Sequence, residues 1–138
     1  MLDIGYTYTS EKEIEKDLDK LEYLTVEEKE KIKQALLNFY QTIATAKKYL
    51  KDDRRDKFVD AMLNQLSYDI GEAMISFDEL GYYYKDNPME YVEQLEGYNA
   101  KKLVKIARKE YRRSKKELEC YADDQLYEDI AEWVDVLY

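Results

Sequence analysis

The sequence contains no histidine, and this absence excludes several kinds of catalytic site. Without an imidazole there is no Ser–His or Cys–His pair and no histidine metal ligand. The carboxylate sites of di-iron helix bundles are also excluded, because they need a Glu-x-x-His motif. A single cysteine, Cys120, cannot form an intramolecular disulfide, which fits a reducing compartment. We therefore expect no enzymatic activity, no cofactor and no metal site.

Proline, glycine and long apolar runs are also scarce. One proline and four glycines leave little to interrupt helices, and the glycines are too scattered to build a phosphate-binding loop. No apolar run approaches the roughly 18 residues needed to cross a bilayer. The N-terminus lacks the basic and apolar regions of a secretory signal. We therefore predict a cytoplasmic protein with no membrane contact, folded as a single domain over residues 1–138.

Helical spacing and capping patterns run along the whole chain. Ser10 and Thr25 each stand three residues before a glutamate, as in capping boxes, and Asn99 is placed to cap a later helix. These patterns predict an all-α bundle of about six helices, five longer and one short. A short extended arm over residues 1–9 precedes them. The predicted helices cover approximately residues 11–23, 26–50, 55–80, 88–96, 99–121 and 123–138.

The third predicted helix has the most regular apolar spacing. Steps of four and three residues connect Val59, Leu63, Leu66, Ile70, Ala73, Phe77 and Leu80 in a heptad-like seam. Ala61, Tyr68 and Ile75 lie on the opposite side. This pattern favours a helix buried on both faces; the alternative is an exposed strip that docks a partner. We expect Gly81 to end the helix and Tyr82, Tyr83 and Tyr84 to form a loop with at least one exposed ring.

Charge is distributed very unevenly. The chain has 31 acidic and 22 basic residues, for a net charge of −9. Nine of the basic residues and one acid lie between positions 101 and 116, giving +8 there and −17 elsewhere. The basic residues form the polar face of an amphipathic helix whose other face is needed for the core. This face is a candidate phosphate-binding surface, although the −17 opposes a polyanion. Its candidate residues are Lys101, Lys105, Arg108, Arg112 and Arg113.

Two acidic zones are candidate protein-binding surfaces. Residues 123–138 contain six acids and no base, and are predicted to pair with the basic helix as a charge-segregated hairpin over residues 99–138. Residues 58–98 contain nine acids against one base, interleaved with tyrosines, which are common at interface hot spots. The candidate partner-binding residues are Asp78, Glu79, Tyr82, Tyr83, Tyr84, Asp86, Glu90 and Glu93, together with a stripe formed by Asp124, Glu128, Glu132 and Asp135.

In its composition the chain resembles the DNA-mimic inhibitors made by phages, which include anti-restriction and anti-CRISPR proteins. The resemblance implies carboxylates that stand in for phosphates in the channel of a basic, nucleic-acid-handling protein. It covers no motif and assigns no residue, and the basic helix departs from it. Our leading prediction is such an inhibitor, with association steered by charge. The alternatives are a nucleic-acid-binding module using residues 101–116, a toxin-immunity protein, and a homo-oligomeric adaptor whose two charged surfaces pair between copies.

Overall fold

The computed structural model describes residues 10–120, with side chains described for residues 10–115. This range contains helices and turns without a strand, which confirms the all-α prediction. A π-helical turn joins α3 to α4 in one continuous rod, so the described range holds six helices. The predicted arm over residues 1–9 and the predicted last helix over residues 123–138 lie outside the described residues. The segments are α1 (Glu11–Asp19), α2 (Val26–Lys47), α3 (Arg54–Ser67), the π-helical turn (Tyr68–Glu72), α4 (Ala73–Ser76), α5 (Glu79–Tyr84), α6 (Met89–Glu96) and α7 (Ala100–Cys120).

Side-chain caps fix the starts of α1, α2, α3, α5 and α7, whereas α6 begins after Pro88 without one. Thr25 and Glu28 form a complete capping box, because each side chain accepts a hydrogen bond from the backbone N–H of the other residue, at 3.1 and 2.9 Å. Asn99 Oδ1 accepts from the N–H of Lys102 at 2.8 Å, which confirms the predicted cap of α7. The ends of α1 and α2 come three or four residues earlier than predicted. There the chain tightens into turns whose N–H groups bond three residues back.

The second helix, α2, lies at the centre of the bundle, in contact with α1, α3, α6 and α7. Its predicted inward face is buried, and the surrounding helices pack their own apolar faces against it. The core positions predicted for α1 are buried as well, and so are Leu103, Val104, Ala107 and Tyr111 of α7. The core side chains include Ile14, Leu18, Ile32, Leu36, Phe39, Ile43, Leu63, Tyr91, Leu95, Leu103 and Ala107.

The rod formed by α3 and α4 is buried on two faces, as predicted, but its seam breaks. Ala61 and Leu63 are both buried, whereas Phe77, predicted to face inward, is 67% exposed. The π-helical turn accommodates an extra residue, which rotates everything after it by about 100°. Ala73 and Ile75 are buried, as predicted for the two faces, and Met74 between them is buried as well.

The rod ends at Ser76, not at Gly81, because Asp78 adopts a left-handed backbone conformation with φ 52°. Its carboxylate then caps a new helix by accepting from the N–H of Gly81 at 3.1 Å. The loop predicted for Tyr82 to Tyr84 is therefore wrong, since these residues form the last turn of α5. An aspartate tolerates the left-handed region better than most residues, so this stop needs no glycine.

Candidate functional site

An acidic surface with two exposed tyrosines lies on α5 and α6, which follow one another and pack together. We call it the acidic tyrosine surface. Its carboxylates are exposed, and in the part of the chain with described side chains none of them has a salt bridge. Seven residues predicted from the sequence are exposed on these two helices and the turns beside them, namely Asp78, Glu79, Tyr82, Tyr83, Asp86, Glu90 and Glu93.

The three consecutive tyrosines point in different directions. Tyr82 is 83% exposed and Tyr83 is 65% exposed, and their rings meet edge to face with centroids 4.8 Å apart. Tyr84 instead packs inward, where its hydroxyl donates to Gln94 Oε1 at 2.7 Å. The prediction of at least one exposed ring is confirmed. Contact with a partner remains a prediction. Tyr84 is not a surface residue; its bond to Gln94 connects α5 to α6.

Asp78 belongs to this surface by position, but much of its hydrogen-bonding capacity is used internally. Its Oδ1 accepts from the Gly81 N–H and also from the hydroxyl of Tyr23, at 2.6 Å. Burial and this hydrogen bond to Asp78 raise the pKa of Tyr23 well above its usual value. A Cβ on Gly81 would lie 2.8 Å from Asp78 Oδ1, so glycine is the residue that leaves room for this arrangement. Asp78 therefore ties α5 to the segment after α1.

The basic helix α7 has the amphipathic character that its sequence predicts. Leu103, Val104, Ala107 and Tyr111 are buried against α2 and α3. Through position 115, the opposite side exposes cationic side chains to solvent. The apolar face is thus occupied by the core and does not serve as a membrane-binding face. The exposed cations are Lys101, Lys102, Lys105, Lys109, Arg112, Arg113 and Lys115.

Four of the five predicted basic residues line one surface pocket of about 280 Å³, which we call the basic pocket. Tyr49 and Val104 complete its wall. Arg113, the fifth predicted residue, lies outside the pocket and pairs with Glu110 on the same helix. The residues of the basic pocket are Tyr49, Lys101, Val104, Lys105, Arg108 and Arg112.

Arg108 is not a free surface cation, in contrast to its assignment from the sequence. Its guanidinium donates to the fully buried carboxylate of Asp56, with Nη2 3.0 Å from Oδ2. The same carboxylate accepts from the N–H of Lys51 at 2.7 Å and from Arg55 Nε at 3.0 Å. Burial alone would raise the pKa of Asp56, but the hydrogen bonds from Arg108, Lys51 and Arg55 outweigh it and hold the pKa at about 2. Arg108 is therefore fixed in one position at the edge of the pocket.

Sequence reasoning missed Tyr49 and Asp56. Tyr49 follows α2 and is 49% exposed, and its ring lies beside cations that are more than fifty positions away in the sequence. A local signal was present, since residues 47–57 contain six basic and three acidic residues. Nothing local distinguishes Asp56 from the other 30 acids, because its role depends on a partner 52 residues away.

The described residues offer neither a metal-binding cluster nor a membrane-spanning segment. Within them, no group of three or more cysteine, aspartate or glutamate side chains is placed to hold a metal ion. No helix in the same part of the chain is long and apolar enough to span a membrane. The predicted partner-binding residues Asp124, Glu128, Glu132 and Asp135 lie outside the described residues. In comparisons with protein-family models, curated proteins and solved structures, none matches this chain.

Proposed function

We propose that this protein acts by binding a basic, nucleic-acid-handling protein through its acidic tyrosine surface, as an inhibitor or neutraliser. One observation carries the proposal. Two adjacent tyrosine rings are exposed on a short helix, and the exposed carboxylates of this helix and of α6 lack a cationic partner in the described part of the chain. A fold does not require this combination, because rings that are 83% and 65% exposed bury little area in the monomer.

Tyrosine and carboxylate groups have complementary roles in such an interface. A tyrosine contributes a large, rigid apolar area with a polar tip, and loses little conformational entropy when it is fixed by a partner. Carboxylates without internal partners attract the lysines and arginines of a nucleic-acid channel and accelerate encounter. Tyr82 and Tyr83 would therefore supply affinity, while Glu79, Glu90 and Glu93 would supply steering and orientation.

The backbone of this surface is held in place before any partner binds. Asp78 caps α5 and is bonded to Tyr23, and Tyr84 fixes the same helix on α6 through Gln94. Two contacts at opposite ends of a six-residue helix limit its rotation. Association then does not have to order the segment that carries the exposed rings, which lowers the entropic cost of binding.

The proposal is tested with the full chain immobilised and incubated with lysate of the source cell, with bound proteins eluted by a salt gradient. We expect a basic, nucleic-acid-binding protein whose purified form binds with an affinity that falls as salt rises. Replacing both tyrosines, Tyr82→Ala with Tyr83→Ala, should weaken that binding about tenfold or more. Replacing Glu90→Lys and Glu93→Lys should mainly slow association.

Matched controls lie elsewhere on the surface. Tyr49→Ala removes an exposed tyrosine outside the acidic tyrosine surface, and Glu22→Lys reverses an exposed carboxylate that is not part of it. Neither should change binding of the basic partner. Equal loss in the control and test variants would contradict the proposal, and so would an affinity that is unchanged between low and high salt.

A further inference from the structure

The cations of the basic pocket form a single row along α7. Positions 101, 105, 108 and 112 are separated by four, three and four residues, so they lie on one helix face. At 1.5 Å of rise per residue the row is about 16 Å long. A row of this length exceeds the reach of a single phosphate group, so it fits an extended chain of anions.

Three cations in this row have no internal partner among the described residues. Lys101, Lys105 and Arg112 are exposed and form no ion pair there. Arg108 differs, because its guanidinium is paired with the buried carboxylate of Asp56. The carboxylate of Asp56, which bonds Arg108, is fully buried and shared with Arg55 and the Lys51 N–H, so it is not available to a ligand on the surface.

Tyr49 gives the pocket a feature that a purely electrostatic surface lacks. Its ring is about half exposed and lies on the pocket wall beside the cations. A positively charged groove next to an exposed aromatic ring is the usual arrangement for binding single strands, in which phosphates follow the cations and an unpaired base stacks on the ring. In a duplex the bases stack on one another, so the ring would have no base face to contact.

We propose that the basic pocket binds single-stranded nucleic acid, with phosphates on Lys101, Lys105 and Arg112 and a base against Tyr49. The net charge of −9 opposes this binding at long range, but the residues that line the pocket are basic or uncharged. Charges beyond about 10 Å are largely screened at 0.1 M salt, so the local row dominates at the pocket. The pocket shares no residue with the acidic tyrosine surface, so this inference does not depend on the proposed function.

The experiment is fluorescence anisotropy of the full chain with a labelled oligothymidylate of about 12 nucleotides. We expect a dissociation constant between about 10⁻⁴ and 10⁻⁶ M. Three phosphate contacts predict a slope of about −2 for the logarithm of affinity against the logarithm of salt concentration. Lys105→Glu combined with Arg112→Glu should weaken binding at least about tenfold. Lys12→Glu reverses an exposed lysine on α1 that forms no ion pair with another described residue, and it should have a much smaller effect.

Variants at position 49 test the stacking contact. Tyr49→Ala should weaken binding about tenfold, whereas Tyr49→Phe keeps the ring and should bind as the wild type does. The inference is overturned by absence of binding at low salt, or by equal effects of Lys105→Glu and Lys12→Glu. Equal or tighter binding of a duplex of the same length would overturn it too. So would competition by tripolyphosphate as effective as that by the oligonucleotide at the same phosphate concentration.

Discussion

Arg108 Nη2 lies 3.0 Å from Asp56 Oδ2, and the Asp56 side chain is fully buried. The two residues are 52 positions apart and connect the start of α3 to the middle of α7. Because the carboxylate also accepts from Lys51 and Arg55, removing its charge leaves several donors without an acceptor. This pair therefore both supports the bundle and shapes the basic pocket.

We expect Asp56→Asn to destabilise the protein by about 2–3 kcal/mol. The amide keeps the shape of the side chain but loses the charge that compensates two guanidinium groups. The measurement is the free energy of unfolding in urea at pH 7. Asp52→Asn removes an exposed carboxylate in the same turn and should change stability by less than about 0.5 kcal/mol. A change in Asp56→Asn no larger than this control would contradict a stabilising role for the pair.

The lowered pKa of Asp56 also predicts that the protein loses stability in acid. Its pKa falls from 3.8 to about 2 on folding, so the native state binds this proton less tightly than the unfolded chain. The resulting stabilisation is complete above about pH 5 and is lost as the pH falls toward 2, with a size of roughly 2 kcal/mol. Burial and the charges of Asp17 and Glu13 raise the pKa of Glu72, which gives a trend of opposite sign.

Comparing the wild type with Asp56→Asn between pH 7 and pH 2 separates these two effects. The Glu72 contribution is common to both proteins, so the difference in unfolding free energy between them reports Asp56. We expect that difference to shrink as the pH is lowered through 4 toward 2. A constant difference across this range would mean that folding leaves the pKa of Asp56 unchanged.

Tyr23 and Asp78 should be energetically coupled by about 1 kcal/mol, because the hydrogen bond between them joins the segment after α1 to α5. A double-mutant cycle with Tyr23→Phe and Asp78→Ala measures this term through unfolding in urea. The single Asp78→Ala change should cost more, about 2 kcal/mol, since it also removes the cap of α5 and places alanine at positive φ. Asp78→Asn keeps a cap and an acceptor and should be nearly neutral. Additive single effects in the cycle would rule out the coupling.

Tyr40→Phe should stabilise the protein by up to about 1 kcal/mol, because the buried Tyr40 hydroxyl has no hydrogen-bond partner in the described residues. The same hydroxyl lies 2.5 Å from where a Cβ on Gly71 would be, so Gly71→Ala should be destabilising. Combining Tyr40→Phe with Gly71→Ala should recover part of the stability that Gly71→Ala alone loses. The thermal and urea midpoints of unfolding, measured for the wild type, the two single variants and the double variant, test these expectations. A destabilised Tyr40→Phe would show that the hydroxyl has a partner in solution.

The local rules of sequence predict much of this fold. Capping at Thr25 and Asn99 and the apolar periodicity of α2 and α7 depend on residues within a few positions of each other, so they can be recognised without tertiary information. The prediction of one continuous helix to residue 80 was wrong near Phe77. There a π-helical turn changes the helix register, and Asp78 adopts a positive φ. Contacts with distant residues occur at both places, since the Tyr91 hydroxyl donates to the Ile70 carbonyl in the turn and the Tyr23 hydroxyl donates to Asp78.

The candidate site likewise has some features that the sequence predicts and others that depend on tertiary packing. Exposure of Tyr82 follows from helical spacing once α5 is known, and the basic row on α7 is visible in the sequence. Sequence alone could not indicate that Arg108 is committed to Asp56 while Lys105 is not, because both lie at the edge of the same helix face. With 31 acids in the chain, the choice of one buried acid depends on packing.

The bond from the Lys51 N–H to Asp56 has a consequence for amide hydrogen exchange. Lys51 is exposed and lies in a turn, where an amide ordinarily exchanges quickly with solvent. Its acceptor, however, is the carboxylate that also accepts from Arg108 and Arg55. Protection of this single amide therefore reports the docking of α7 on α3. The exchange rate of the Lys51 amide can thus be measured in the native state as a probe of the Arg108–Asp56 ion pair at the edge of the basic pocket.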